Sequence, residues 1–458
     1  MKKRFFSMAY TLLIASVAAM FTLTSCDPLE KYADGEDDLK TLKNYVNDMM
    51  ENYYYWADEM PAGNANAANV EDYFKSKLIA KDHWSWMMDG DYFRELMTGV
   101  STSSFGFHVG QPIDHFKDYG VYITYVEPNS PVGKAGIGRG WRMTHVNNTP
   151  VEDCIKNNTF SSELAKSSNT FKFLTPNNET KEFTLSQASY KSSSVVKTAI
   201  FTKADFPALS ATAKVGYINY VDFSESLKSE IMNALQQMKD AGVTDFILDL
   251  RYNGGGDLEL CENICSILAP ASANGKKLCT LTHSKANKAL NESYKIKRDS
   301  KSLDLKRLFV IQSKGTASAS EVVINCLSPY MEIHNVGRVS YGKPNGMYLF
   351  AYPTINLKNE SEFSKVLYGF LPICFYTLNC NEEANYENGI NPENVRYDDV
   401  YKDFCAQEGM IAACLQYIAT GSYPLENELY TVNSATKAAS GPVLVEKSPK
   451  RAGAYIVR

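Results

Sequence analysis

The sequence has no apolar run long enough to cross a bilayer; the longest, Met8 to Leu23, is 16 residues, against the roughly 20 that a spanning helix needs. Histidine is scarce, six in 458 residues, and no two Cys-x-x-Cys pairs occur. The closely spaced Cys261 and Cys265 have no histidine within fifteen residues, so they read as small buried apolar side chains and no metal site is expected. Basic runs are missing as well. With 47 basic against 52 acidic residues and a net charge of −5, the chain is a poor grip for phosphate backbones, and nucleic acid is excluded as a partner. Neither disorder nor a collagen-like repeat fits a composition that is 44% apolar and 22% charged. At about 150 residues per domain the length allows about three domains.

Residues 1–25 stand apart. They carry Lys2-Lys3-Arg4, then the apolar run, and no acid, which is the pattern of a secretory signal and implies an extracytoplasmic protein. Leu23-Thr24-Ser25-Cys26 resembles the lipobox of bacterial lipoproteins. That resemblance implies a lipid on Cys26, anchoring the chain to a membrane at its periplasmic face or at the cell surface, with the polar, acidic residues 26–40 as a tether. The other nine cysteines cannot all pair, because their number is odd.

Residues 41–98 have helical periodicity and many aromatics, among them Tyr53-Tyr54-Tyr55-Trp56 and Trp84-Ser85-Trp86, and read as a small N-terminal helical unit with a packed core and no chemistry. Residues 99–192 change to short strands between Gly, Pro and Asn turns. The order Gly120–Val126, Pro128-Asn129-Ser130-Pro131, Ala135-Gly136-Ile137, Gly140, Met143–Val146, Asn147 resembles the middle of a PDZ domain, although Trp141 stands where an Asp is usual. The resemblance implies capture of an extended peptide at a sheet edge, with Phe105, Gly106 and Phe107 as the loop that approaches it.

Residues 193–425 alternate strand and helix, and a nearly continuous apolar strand at 244–250 implies a sheet covered on both faces. Two strand-to-helix junctions carry candidate chemistry. Asp249-Leu250-Arg251-Tyr252-Asn253-Gly254-Gly255-Gly256 lacks the Walker Lys-Ser/Thr and the dinucleotide spacing; by itself it is either a tight turn or a set of amides for an oxyanion. Leu308–Gln312 runs into Thr316-Ala317-Ser318-Ala319-Ser320-Glu321, where a serine on a sharp turn is either a nucleophile or a helix cap. A lysine, Lys343, follows 25 residues later in Tyr341-Gly342-Lys343.

Together with Gly389-Ile390-Asn391-Pro392-Glu393 these motifs resemble the carboxy-terminal processing (tail-specific) serine peptidases over about residues 100–400. The resemblance implies a multi-domain α/β protein with a crotonase-like peptidase core. It implies Ser318 as nucleophile, Lys343 as base, an oxyanion hole from Ala319 with Gly255 or Gly256, peptide or protein substrates, and no cofactor. Where many relatives have Gln or Glu four residues after the lysine, this chain has Met347. The expected activity is a membrane-anchored endopeptidase acting on unstructured or C-terminal segments; the alternative is a non-catalytic peptide- or glycan-binding lipoprotein on the same scaffold. A Ser-His arrangement is disfavoured, since His283 and His334 lie in no base motif, and residues 426–458 are a C-terminal tail whose role the sequence leaves open.

Overall fold

The structure, a computed structural model, describes residues 27–110, 120–424 and 453–457. The signal sequence, Cys26 and most of the tail lie outside the described residues.

Helix α1 (Leu39–Tyr53) starts where the Asp38 carboxylate accepts the amides of Lys40 and Thr41, and it buries Leu42, Tyr45, Val46, Met49 and Met50, one face at i, i+3, i+4, i+7 spacing. Helices α2 (Val70–Ser76) and α3 (Gly90–Thr98) have side-chain caps from Asn69 and Asp89. Their aromatic faces close on strands far away in sequence: Trp86–Asp89 pairs with Tyr368–Leu371, which pairs with Phe350–Tyr352, and Tyr45, Phe74, Phe93, Tyr352 and Phe370 share one core. The helical unit expected over 41–98 thus shares its core with strands of the later chain. The expected tether also differs, because Leu29 and Tyr32 are buried in the same core and the Leu29 carbonyl accepts the Thr354 hydroxyl at 2.8 Å. Its acids face water while its two large apolar side chains find a core.

The next region is an antiparallel sheet of β1 (Phe107–Gly110), β2 (Val121–Val126), β3 (Arg142–Val146), β4 (Ser168–Leu174) and β5 (Thr180–Ser186), in that spatial order, with β1 at one edge. Its own core holds Phe105, Ile123, Val132, Met143, Phe171 and Phe173. A two-stranded ribbon, Val100–Ser104 with Ala188–Lys191, closes its entry and exit together.

The remaining chain forms, in order, β6 (Val195–Phe201), β7 (Val215–Tyr220), α4 (Lys228–Ala241), β8 (Asp245–Asp249), β9 (Gly255–Asp257), α5 (Leu258–Leu268), β10 (Lys277–His283), β11 (Glu292–Lys295) and β12 (Arg307–Gln312). There follow α6 (Ala319–Leu327), β13 (Glu332–Gly337), β14 (Asn345–Tyr348), β15 (Ile373–Asn379), β16 (Asn394–Val395), α7 (Gly409–Thr420) and β17 (Gly453–Ile456). One sheet has the order β6-β7-β8-β12-β13-β16, all parallel after the first antiparallel pair. The second has the order β9-β17-β14-β15-β10-β11. Helices α4, α5 and α6 pack against one face of the first sheet, and α5 and α6 share that core with residues of the second sheet; α7 covers the first sheet's other face. Phe246 and Leu248 enter one core and Ile247 the other, which is why β8 reads as a continuous apolar run. The tail, whose role the sequence leaves open, supplies the strand β17.

Among the described residues no disulfide forms, no helix is long and apolar enough to cross a membrane, and no group of three or more His, Cys, Asp or Glu could hold a metal ion.

Candidate active site

Both junctions fall at the carboxyl ends of adjacent parallel strands, β8 and β12, where open α/β sheets place their ligands. The loops are laced to one another. Thr316 donates its hydroxyl to the Leu250 carbonyl at 2.7 Å, Ser313 donates to the Arg251 carbonyl, and the Asn253 carbonyl accepts the Ala317 amide at 3.0 Å and the Ser320 hydroxyl at 3.1 Å. Gly255 has φ +105°, and a Cβ there would come within 3.0 Å of both Ser318 Cβ and the Ala317 carbonyl, so only glycine lets this strand approach the serine.

Ser318 is wholly buried at the start of α6 with φ +57° and ψ −113°, a strained backbone for a residue with a Cβ. What holds it is Glu321. One carboxylate oxygen, Oε2, accepts the amide of Ser318 at 2.8 Å and the amide of Lys343 at 2.8 Å. Two nitrogens bonded to one oxygen lie within roughly 6 Å of each other, so the two residues joined by the sequence motifs are neighbours in space. The other oxygen, Oε1, accepts the amide of Gly342 at 2.7 Å and the hydroxyl of Ser340. Burial pushes the Glu321 carboxyl up, against four donors that favour its charged form.

The base turn is clamped from other directions. Gly342 has φ +94° and a Cβ there would lie 2.4 Å from the Glu387 carbonyl, while the Ile390 amide donates to Ser340 Oγ at 2.7 Å. The Gly389-Ile390 motif thus serves to set the loop that carries Lys343. The indole of Trp84 donates to the Gly342 carbonyl at 3.2 Å, placing the region assigned no chemistry against the site.

Lys343 is fully buried, and burial lowers its pKa from 10.5 to about 7; Asp82 and Glu321 oppose the shift electrostatically. Its amine lies 3.6 Å from Met347 Sδ, so the position that departs from the family pattern still touches the amine, through a soft and weak acceptor.

The first of the α6 amides, that of Ala319, has no intrahelical acceptor and stands next to Ser318. Of the two glycines expected to join it, Gly255 is unsuitable, because its amide is given to Asn253 Oδ1 at 2.9 Å. Gly256 has φ +141°. Sequence reasoning missed Glu321, Ser340 and Asn253. The Ser-x-x-Glu spacing of 318–321, a capping-box pattern, was the available signal for Glu321.

Behind the glycine loop, buried Arg251 meets Asp249, Asp398 and Glu408, with both of its terminal nitrogens on Glu408 at 2.9 and 3.0 Å. Arg139 of the β-rich region joins this cluster through Asp398 and the Tyr252 hydroxyl at 2.7 Å. Cys261, below α6, donates its thiol to the Ala319 carbonyl at 3.3 Å, and burial raises its pKa.

Phe105, Gly106 and Phe107 lie at the entry to β1. The Phe105 ring is buried in the β-rich region's own core and stacks on Phe107. Gly106 has φ +85°, and a Cβ there would collide with Ser130; its amide donates to Ser104 Oγ at 3.0 Å.

One carboxylate thus joins the backbones of a strained serine at a helix start and a buried lysine of lowered pKa. Residues 214–357 match the sequence profile of Peptidase family S41, and residues 41–86 match that of the Peptidase S41 N-terminal domain, so these two segments are similar to that family. A carboxyl-terminal-processing protease of Synechocystis sp. is 31% identical over 129 residues, which are 28% of this chain and 28% of that protein. The carboxy-terminal processing protease CtpA of Bacillus subtilis is 22% identical over 344 residues, 74% of this chain and 68% of that protein. A solved S41-family structure from Bacteroides fragilis superposes with a TM-score of 0.64 at 22% identity, covering 82% of this chain and 97% of the other, which establishes the shared fold.

Proposed function

We propose that the protein is a serine endopeptidase in which Ser318 is the nucleophile and Lys343 the general base. The observation that carries this reading is the single Glu321 oxygen that accepts both the Ser318 and the Lys343 amides, next to a lysine whose pKa falls to about 7. At that pKa the amine is half neutral near pH 7 and can take the serine proton. Ser318 Oγ attacks a peptide carbonyl as its proton passes to Lys343 Nζ. The oxyanion is met by the amides of Ala319 and Gly256, and Lys343 then protonates the leaving amine as the C–N bond breaks. Water repeats the sequence on the acyl-enzyme, with Lys343 again as base. Glu321 touches no reacting atom and acts as a positioning residue.

The β-rich region is read as a PDZ-like receiver. Its strand β1 is an edge, so an extended segment of substrate can add there as a further strand. Delivery outside the cytoplasm and a lipid on Cys26 are supported by the sequence of residues 1–26 alone. Substrates are unstructured or C-terminal segments of extracytoplasmic proteins, which fits relatives that are named carboxyl-terminal-processing proteases.

The test is cleavage of unfolded casein, with products identified by mass spectrometry, by the wild-type protein, Ser318→Ala and Lys343→Met. Cleavage by the wild type alone supports the reading. Equal turnover in all three overturns it in favour of a peptide-binding module without catalysis.

A further inference from the structure

The strand β17 is out of place for a tail. It lies in the second sheet between β9 and β14 and runs parallel to both: Gly453, Ala454 and Tyr455 face Gly255, Gly256 and Asp257 on one side, while Ala454, Tyr455 and Ile456 face Gly346, Met347 and Tyr348 on the other. These two neighbours are the segments that flank the site. Gly255 is the residue whose backbone abuts Ser318, and β14 begins two residues after Lys343. A peptide carbonyl attacked by Ser318 has to pass between the glycine amides and the lysine, which is the slot that β17 fills.

Backbone geometry sharpens the point. The Gly255 carbonyl accepts the Phe223 amide at 3.1 Å, and the Asp257 amide donates to the Phe223 carbonyl at 2.8 Å. In a parallel ladder alternate residues bond to opposite neighbours, so the amide of Gly256 turns toward β17. The amide assigned to the oxyanion is thus directed at the backbone of this segment. On the far side the Leu349 amide donates to the Ile456 carbonyl at 3.2 Å. Tyr455 is buried among the side chains that also cover Met347, and Ile456 packs on the core that holds α5 and α6. Ser318 and Lys343 are both fully buried in this arrangement, so substrate reaches them only after something leaves.

We propose that the slot between β9 and β14 is the groove that receives the substrate strand, and that residues 453–456 are an internal occupant of it, competing with substrate. The occupant also reports the class of ligand: an extended segment reading small-small-aromatic-aliphatic, held mainly by its backbone from two sides. This rests on the peptidase reading only where turnover is the readout. The occupant belongs to the same chain as the slot, and at an effective concentration of about 1 mM and an intrinsic affinity of roughly 0.1 mM it puts an incoming peptide at about a tenfold disadvantage.

Two measurements test it. In the Ser318→Ala background, fluorescence anisotropy of a labelled Gly-Ala-Tyr-Ile-Val-Arg peptide should give binding about tenfold tighter to protein ending at Ala452 than to the full chain. In the full chain with Ser318 intact, Tyr455→Asp should lower KM for casein about tenfold at unchanged kcat, with the melting temperature lowered only as far as the lost tenfold occupancy accounts for. Equal peptide binding to both lengths overturns the proposal. So does a Tyr455→Asp protein that loses stability and turnover together, which would make β17 a structural strand. If no form cleaves casein, the peptidase reading fails, and the anisotropy comparison still decides whether the slot is an occupied peptide groove.

Discussion

Among the described residues two cations, Arg251 and Lys343, are completely buried, and they behave in opposite ways. Arg251 is surrounded by the carboxylates of Asp249, Asp398 and Glu408, and its pKa is raised well above the ordinary range. Lys343 is placed so that desolvation outweighs the attraction of Asp82 and Glu321, and its pKa falls to about 7. The same burial makes one cation a permanent charge that fixes the glycine loop and leaves the other poised to exchange a proton. What differs is where the nearest carboxylate is spent: Glu321 gives its oxygens to backbone amides and a hydroxyl, while the partners of Arg251 point at the guanidinium.

The comparison breaks most sharply at the lysine. Lys343→Met should lower kcat on an unfolded substrate by about a thousandfold or more while raising the melting temperature, read by calorimetry at pH 7. The sign follows from linkage. The folded pKa of Lys343 lies below the unfolded one, so between about pH 10 and pH 7 the unfolded chain binds the extra proton, and stability from this group is lost as the pH falls through that window. A shift of this size corresponds to roughly 4 kcal/mol at neutral pH. For the same reason kcat/KM should rise with unit slope up to about pH 7 and level off above it; a flat profile from pH 5 to 9 would remove Lys343 as base.

Arg251→Met should do the reverse, leaving Asp249 and Glu408 without their cation while Asp398 keeps Arg139, and costing about 3–5 kcal/mol of stability in denaturant titration. Glu321→Gln sits between these two. Its amide replaces one acceptor oxygen by a donor that meets another donor, which should lower kcat about a hundredfold through misplacement. Removing its charge should also move the acidic limb of the pH profile below 7, a displacement that loss of fold alone would not produce. The smallest effect is expected for Arg139→Ala, about 1–2 kcal/mol, since Asp398 keeps Arg251. Limited proteolysis at the 99–192 region should report it.

Ser318, Lys343, the glycine loop and the Gly-Ile-Asn-Pro turn were legible because each lies in a short run with its own turn chemistry. Helices α5 and α6 were legible from end to end because each carries a start signal and an apolar face. What was hidden depends on pairing across long separations. Nothing local in Trp84 announces a hydrogen bond to Gly342, nothing in Leu29 announces the Thr354 hydroxyl, and the small, mixed residues Gly453–Ile456 give no strand period. Gly255 and Gly256 are indistinguishable as letters; only the Asn253 side chain, which engages one of them, separates their roles.

Trp84, Glu321 and Ile390 reach the base turn from points spread over most of the chain. A partly synthesised polypeptide that already displays Ser318 therefore has no complete clamp for Lys343 until Ile390 has emerged. The order of translation itself would keep such a chain from cutting its neighbours before it is finished.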